Sequence, residues 1–388
     1  MSVLSRVRRY STAVLSPNSS SPLTSKQKSR AALHLLKSES NPERILEICR
    51  AASLSPDSHL DRRAFSLAVS KLASANHFSG IRRFLEELKS RSDLCNEQFL
   101  SHAIVLYGQA KMLDHALRTF TDDLSPPRSV KSLNSLLLAA ILAKNYKEVS
   151  RIYLEFPSKY SIQPNADTYN TVIKAFSESA STSSVYSVLT EMDRNNVKPN
   201  VTTLNNTLSG FYREEKFEEV GKMLKLMEEK YGVFPAISTY NVRMLSLCKL
   251  KRASEAKALF DGMVCNGRKP NSVSYACLIH GFCKEGDLEE AQRLFRDMKR
   301  RGFSPDGDCY FTLVHFFCLA GDFQAAFLLA KESMGKAWVP NFSTMKTLVI
   351  GLASVSKVDL AKDLISQIKD KFPDNAHKWD EIQAQLPQ

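Results

Sequence analysis

The run CLIHGFCKEG sets Cys277, His280 and Cys283 three residues apart. That density of soft side chains could hold a zinc ion or pair a thiol nucleophile with its base. Helical spacing argues against a shared metal. On a helix, Cys277 and Cys283 stand ~9 Å apart along the axis at 1.5 Å per residue. Two thiolates on one zinc must sit within roughly 4 Å of each other, given Zn–S bonds of ~2.3 Å. Residues of the same type recur further along the chain: Cys248, Cys283 and Cys318 are 35 apart, as are His280 and His315, and Tyr240, Tyr275 and Tyr310. Stacked helices lie on the order of 8–10 Å apart, so these columns do not assemble a metal site either. The triplet is one copy of a period, and Cys283 is expected to fill a tight spot beside Phe282.

Other chemistry-bearing patterns are missing from the sequence. There is no G-x-x-x-x-G-K-[ST] loop, no G-x-S-x-G elbow, no H-E-x-x-H, no H-x-E…P-C-x-x-C set and no C-x-x-C pair. The carboxylates at 214–215 and 289–290 read as solvated helix faces. His34, His77 and His115 have no partner column. The basic runs KRRG (299–302) and KLKR (249–252) fall at helix ends, where they would complement the dipole or touch phosphate. The reading is of a non-catalytic protein with no metal, no cofactor and no small-molecule substrate.

The elements that position these residues follow from the period. Pro164, Pro199, Pro235, Pro270, Pro305 and Pro340 step by 35, 36, 35, 35 and 35 residues. Met192, Met227, Met263 and Met298 keep the same rhythm. Within a period, Tyr275, Leu278, Ile279 and Phe282 lie at i, i+3, i+4 and i+7, the apolar stripe of a helix. Tyr310, Leu313, Val314 and Phe317 repeat that stripe, as do Tyr169, Val172, Ile173 and Phe176. A turn with Gly286 or Gly321 follows, then a second helix with a small residue at Ala256, Ala291, Ala326 or Ala361. That helix stops at a Gly-x-x-Pro turn, because proline cannot continue it. Such a pair cannot bury both its faces alone, so neighbouring pairs must stack.

The expected fold is therefore all-α, a right-handed α-solenoid superhelix of about ten helix–turn–helix repeats of 35 residues. The units are 27–61, 62–96, 97–129, 130–165, 166–200, 201–236, 237–271, 272–306, 307–341 and 342–375. Residues 31–96 read as degenerate N-terminal repeats and 97–375 as the main solenoid. The serine-rich stretch SESASTSS reads as a loosened inter-helix turn. Residues 376–388 form a capping helix whose Trp379 covers the last apolar face.

Composition bounds the partners. Apolar residues make up 43% and charged residues 24% of the 388, an ordinary folding composition. The longest apolar run, LLLAAILA, is far below the ~20 residues that span a bilayer, so no membrane role is expected. Half of the net charge of +12 lies in residues 1–30, which hold six basic residues and no acid. That segment is serine-rich and amphipathic, the pattern of an organelle transit peptide or disordered leader. SRVRRYS resembles mitochondrial presequences of plants more than plastid ones; the mitochondrial matrix is the expected location and the plastid the alternative. The eight cysteines show no pairing pattern, which suits free thiols in a reducing compartment.

STYNVRMLSLCKLKRASEAKALFDGMVCNGRKPN and SYACLIHGFCKEGDLEEAQRLFRDMKRRGFSPD resemble pentatricopeptide repeats, over roughly residues 62–375. That resemblance implies binding of single-stranded RNA at about one base per repeat. Two side chains per repeat would face the base, the residue after the tyrosine and the last residue of the repeat. In this chain they include Ser66 with Asn96, Asn134 with Asn165, Asn170 with Asn200, Asn205 with Ala236, Asn241 with Asn271, and Ala276 with Asp306. An Asn amide offers both donors and an acceptor to a base edge. The full Asn/Asn pairs are three, and Ala276, Phe311 and Lys346 lack the amide. The family's aliphatic residue three positions before the reader is kept only as Val273; Asp167 and Asp308 are acids. The asparagine after the tyrosine also has a structural explanation, as a helix-start residue.

The segment before the strong repeats resembles the leader of a small plant mitochondrial group associated with the ribosomal small subunit. The resemblance thus implies a ribosome-associated RNA-binding solenoid acting in organellar translation. Its partners would be single-stranded or ribosomal RNA and mitochondrial ribosomal proteins. A factor for one organellar mRNA and a protein-binding scaffold stay open beside it.

Overall fold

The computed structural model describes residues 25–53, 62–91, 95–124, 128–336, 338, 341–371 and 376–386, and every regular element among them is a helix. The transit-peptide reading of residues 1–24 lies outside the described residues; the first helix begins at Ser25, within the 1–30 segment assigned to a leader. The chain forms two compact units, 1–198 and 199–388.

The first unit holds α1 (Ser25–Ser38), α2 (Pro42–Ser53), α3 (Arg62–Ser74), α4 (Phe78–Lys89) and α5 (Glu97–Gln109). It continues with α6 (Leu113–Arg118), α7 (Val130–Leu142), α8 (Tyr146–Lys159), α9 (Ala166–Glu178) and α10 (Val185–Arg194). The second unit holds α11 (Val201–Arg213), α12 (Phe217–Tyr231), α13 (Ile237–Lys249), α14 (Ala253–Cys265), α15 (Ser272–Glu285) and α16 (Leu288–Arg300). It ends with α17 (Gly307–Leu319), α18 (Phe323–Gly335), α19 (Phe342–Ser354), α20 (Val358–Lys371) and α21 (Ala376–Ala384). Odd-numbered helices up to α19 open the repeats and even-numbered ones close them. The expected all-helical repeat fold is the one observed, with ten helix pairs among the described residues.

The burial pattern follows the sequence stripe. Tyr275, Leu278, Ile279 and Phe282 are buried, as are Tyr310, Leu313, Val314 and Phe317. Each such side chain contributes about 1.5–3 kcal/mol on removal from water. Ala256, Ala291, Ala326 and Ala361 are completely buried, because only a methyl group lets the two helices of a pair approach closely. First helices of neighbouring repeats pack on one another, α13 on α15 and α15 on α17, while the second helices α14, α16 and α18 pack mainly on their own first helices. The sulfur column fills the seam between first helices: a Cβ on Gly281 of α15 would overlap the Cys248 side chain of α13, with Cβ only 2.8 Å away.

The inter-helix turns repeat the left-handed backbone. Positive φ occurs at Asn76, Lys111, Lys144, Ala180, Glu215, Lys251, Gly286, Gly321 and Ser356, one at the inter-helix turn of each repeat after the first. Gly286 at φ 87° and Gly321 at φ 80° adopt it without a Cβ penalty, whereas the others carry a side chain there. The two irregular units still close as pairs. In 97–129 the short α6 runs into a π-helical turn at Thr119–Asp123. There the Arg128 Nε donates to Phe120 O at 2.8 Å and its guanidinium lies 4.6 Å from the Tyr160 ring centre. The serine-rich stretch is a 3-10 turn at Thr182–Ser184 that feeds directly into α10. At the C-terminal end, Trp379 of α21 is buried, its ring 4.9 Å from that of Phe342.

Candidate nucleic-acid interface

The last residue of a repeat is the N-cap of the next first helix. Asn96, Asn165, Asn200, Asn271, Asp306 and Asn341 each sit in extended backbone and accept from main-chain N–H groups of the following turn. A helix leaves its first four N–H groups without intrahelical partners, and a short polar side chain satisfies one of them. At Asn165, Asn200 and Asn271 the bond is reciprocal, because a Thr or Ser hydroxyl at the third helical position accepts from the cap's own N–H. The helix-start role expected for the asparagine after the tyrosine belongs instead to these residues. Asn134, Asn170 and Asn241 lie inside their helices, more than a turn past the start, where a side chain cannot reach the orphan N–H groups.

Two of the paired sites form the same closed network, one in each unit. Asn134 Nδ2 donates to Asn165 Oδ1 at 3.2 Å, and the Thr168 hydroxyl donates to Asn134 Oδ1 at 2.6 Å. Asn241 Nδ2 donates to Asn271 Oδ1 at 3.2 Å, and the Ser274 hydroxyl donates to Asn241 Oδ1 at 2.7 Å. Each first asparagine thereby keeps one N–H and one lone pair for a ligand. Thr168 and Ser274 are wholly buried and were not among the side chains singled out from the sequence. The available signal was the S/T at the third position after each capping Asn, the sequence mark of a capping box.

The other candidate positions have the following surroundings. Ser66 donates to Gln109 Oε1 at 2.9 Å and is not bonded to Asn96. Asn170 and Asn200 fall in different units; Asn170 is buried and Asn200 exposed. Asn205 has no capping partner side chain at Ala236, and its Nδ2 turns to Ser238 Oγ at 3.1 Å while its Oδ1 is buried with no partner. Asp306 caps α17 by accepting from Cys309 N at 2.9 Å, and the position paired with it is Ala276, which has no amide. In the first unit, α3, α5 and α7 line an open cleft of about 730 Å³ that includes Ser66 and Gln109, with Arg62, Arg63 and Lys131 around it. His102 in that cleft is held neutral, its pKa lowered to about 4 by burial and then by the Arg62 charge.

The groups of the CLIHGFCKEG run are ill placed for metal or nucleophilic chemistry. Burial pushes the Cys277 thiol up to about 11 and the Cys283 thiol to about 12, so neither is a thiolate at neutral pH. His280 is half-buried, its pKa lowered by burial and then by Lys284 and Lys249. Among the described residues no three His, Cys, Asp or Glu side chains gather as metal ligands, and no helix is long and apolar enough to cross a membrane. The basic runs are largely engaged internally. Lys299 bonds Glu332 at 2.6 Å, Arg301 bonds Asp297 at 2.9 Å, and Arg252 bonds Glu255 at 2.5 Å. Asp297 also accepts from the Tyr275 hydroxyl at 2.7 Å, as Glu332 does from Tyr310 at 2.8 Å, tying a second helix to its partner through the core tyrosine.

Stacked helix pairs with a short polar cap at most junctions define a helical-repeat class of protein, and comparison with known proteins specifies it. Models of the PPR repeat family match residues 164–212, 235–284 and 270–319; a pentatricopeptide repeat domain model matches 128–179 and a further PPR repeat model 202–231. A pentatricopeptide repeat-containing protein of Arabidopsis thaliana, named as mitochondrial, is 50% identical over 369 residues, covering 94% of this chain and 91% of its own. The chain belongs to the pentatricopeptide repeat family. It is also 30% identical over 385 residues to the Arabidopsis thaliana small ribosomal subunit protein mL103 (rPPR7), covering 98% of this chain and 93% of that one. The small ribosomal subunit protein mS78 (rPPR3a) of the same plant is 31% identical over 191 residues, 48% of each chain.

Proposed function

We propose that this protein is a non-catalytic RNA-binding solenoid of the mitochondrion, held on the small ribosomal subunit and acting in organellar translation. The observation that carries the reading is the end-to-end similarity to a small ribosomal subunit protein, which spans nearly the whole of both chains. The mitochondrial location is supported by the name of the relative at 50% identity. The residues at the repeat junctions fit a component held by shape and charge better than a reader of one transcript. The Asn134/Asn165 and Asn241/Asn271 networks present bonded pairs of amides, but Ala236, Ala276, Phe311 and Lys346 interrupt the series. In this reading single-stranded or ribosomal RNA and ribosomal proteins are the partners, the matrix is the compartment, and residues 1–30 supply the targeting segment. Ser66, Asn96, Asn200, Asn205 and Asp306 then contribute surface to the RNA contact rather than a base code, and Asn170 lies buried.

The test is sedimentation of mitochondrial extract. The protein is expected to travel with the small subunit and to be released by RNase or high salt, because phosphate contacts weaken as counterions are added. Retention at the top of the gradient while ribosomes move down defeats the reading. If that fraction carries one enriched mRNA, the second reading, a transcript-specific factor, takes its place; it draws on the same two amide networks.

A further inference from the structure

We propose that the cleft between α3, α5 and α7 holds a nucleotide carrying a terminal phosphomonoester, with Arg62, Arg63 and Lys131 around the phosphate and Ser101 bonding the nucleotide. The inference rests on the RNA-binding reading and adds to it a place for a strand end.

The charge at this cleft is one-sided. Its lining includes Arg62 and Arg63 in the first turn of α3 and Lys131 in the first turn of α7, with no acid among the described residues. Arg62 and Lys131 are exposed, and neither has an ion pair among the described residues. Glu97, the acid in the first turn of α5, takes the Ser129 hydroxyl instead. The starts of α3 and α7 add partial positive charge of their own.

A cleft of about 530 Å³ in the second unit, between α14 and α16, supplies the contrast. It too is rich in cations, but Lys257 pairs with Asp261 at 2.6 Å and Arg293 with Glu290 at 2.6 Å. Its charges are balanced on the protein surface, whereas Arg62 and Lys131 face solvent.

The rest of the first cleft suits a nucleoside. Leu67, Val105 and Leu138 give it an apolar wall against which a base can lie. Neutral His102 offers hydrogen bonds there without adding charge. Ser101 is 3% exposed, and its Oγ has no hydrogen-bond partner. A buried hydroxyl left unpaired is destabilising, and a turn about χ1 would let a ligand in the cleft satisfy it. Ser66 is not free to read a base at this place, because Gln109 engages both its hydroxyl and its carbonyl, at 2.9 and 2.8 Å.

A terminal phosphomonoester is nearly doubly charged at neutral pH, whereas a phosphodiester within a strand carries one charge. Three cations without an acid therefore favour a strand end over its interior. The same group occurs at a 5′ end, at a 3′ end and on a free mononucleotide.

Fluorescence anisotropy with the full chain tests the proposal. The probe is one internally labelled single-stranded RNA, ended by a 5′-phosphate, by a 3′-phosphate or by hydroxyls alone, with adenosine 5′-monophosphate as competitor. The expected result, at fixed salt, is about tenfold tighter binding of one phosphorylated form than of the hydroxyl-ended strand. Arg62→Ala combined with Lys131→Ala, and Ser101→Ala by itself, should each cut that preference below about threefold. Arg296→Ala, which removes an exposed arginine of α16, should keep it. The preferred terminus identifies the end that is held, and displacement by equimolar adenosine 5′-monophosphate assigns the site to free nucleotides. If all three strands bind equally and the mononucleotide displaces none, the inference is overturned and the RNA-binding reading stands. If the double variant weakens every strand equally, the cations serve phosphates in general and the inference is again overturned, as it is if Ser101→Ala keeps the full preference. If no strand binds at all, the RNA-binding reading fails and takes the inference with it.

Discussion

Replacing Asn271 separates its two roles, capping α15 and presenting an amide. Asn271→Ala removes the acceptor for Ser274 N at 3.0 Å and the acceptor for Asn241 Nδ2 at 3.2 Å. Loss of an N-cap costs about 1 kcal/mol, and loss of the second hydrogen bond about 1 kcal/mol more. The sum of about 2 kcal/mol corresponds to roughly a thirtyfold change in the opening equilibrium of that helix start. Asn271→Asp should behave quite differently. A carboxylate accepts both bonds, caps a helix as well as asparagine, and adds a favourable charge at the positive end of the helix. The chain already uses this arrangement at Asp306, which caps α17. The Asp variant is therefore expected to stay within about 0.5 kcal/mol of the native protein. Because a repeat array opens locally, hydrogen exchange at the amide of Ser274 is a better measure than a global transition. Equal faster exchange in both variants, or none in Asn271→Ala, would refute the capping account. An Asp variant that keeps native exchange but shifts RNA selection would assign Asn271 to both tasks.

Two further predictions concern the seam between first helices. Gly281→Ala places a methyl group on the Cys248 side chain and should cost about 1–3 kcal/mol through overpacking; combining it with Cys248→Gly should return most of that loss in thermal denaturation, and failure to do so would show the strain lies elsewhere. The eight thiols should divide by burial when alkylated at pH 8: Cys95 and Cys265 are exposed and react first. Cys49, Cys248, Cys283 and Cys309 are pushed up to about 12, and Cys277 and Cys318 to about 11, in each case first by burial. The folded state keeps these protons while the unfolded chain releases them near pH 9, so the stabilising effect is complete below pH 9 and declines as pH rises toward 11–12. Fast modification of all eight at pH 8, or stability that is flat from pH 8 to 11, would contradict the burial.

The sequence alone determined the helix pairs, because a 35-residue period with apolar residues at i, i+3, i+4 and i+7 admits no other regular element. Tyr275, Ala291 and Met298 could be placed in the core from their columns, since burial in a repeat depends only on neighbours of the same kind. It also removed the metal reading of Cys277, His280 and Cys283 through helical rise. The candidate readers could be located by position but not understood. That Asn165 and Asn271 cap helices, that Asn134 and Asn241 do not, and that Asn205 turns to Ser238 all depend on which side chains meet at a junction of two repeats. Hydrogen bonds between residues about 30 positions apart have no local signature. The irregular unit 97–129 closes for a similar reason: Arg128 reaches the Phe120 carbonyl and the Tyr160 ring, contacts that only the packed helices bring within range. Propensity and period set the elements, whereas the direction of each amide and hydroxyl was decided by the tertiary structure, where a directional bond is made or lost within a few tenths of an ångström.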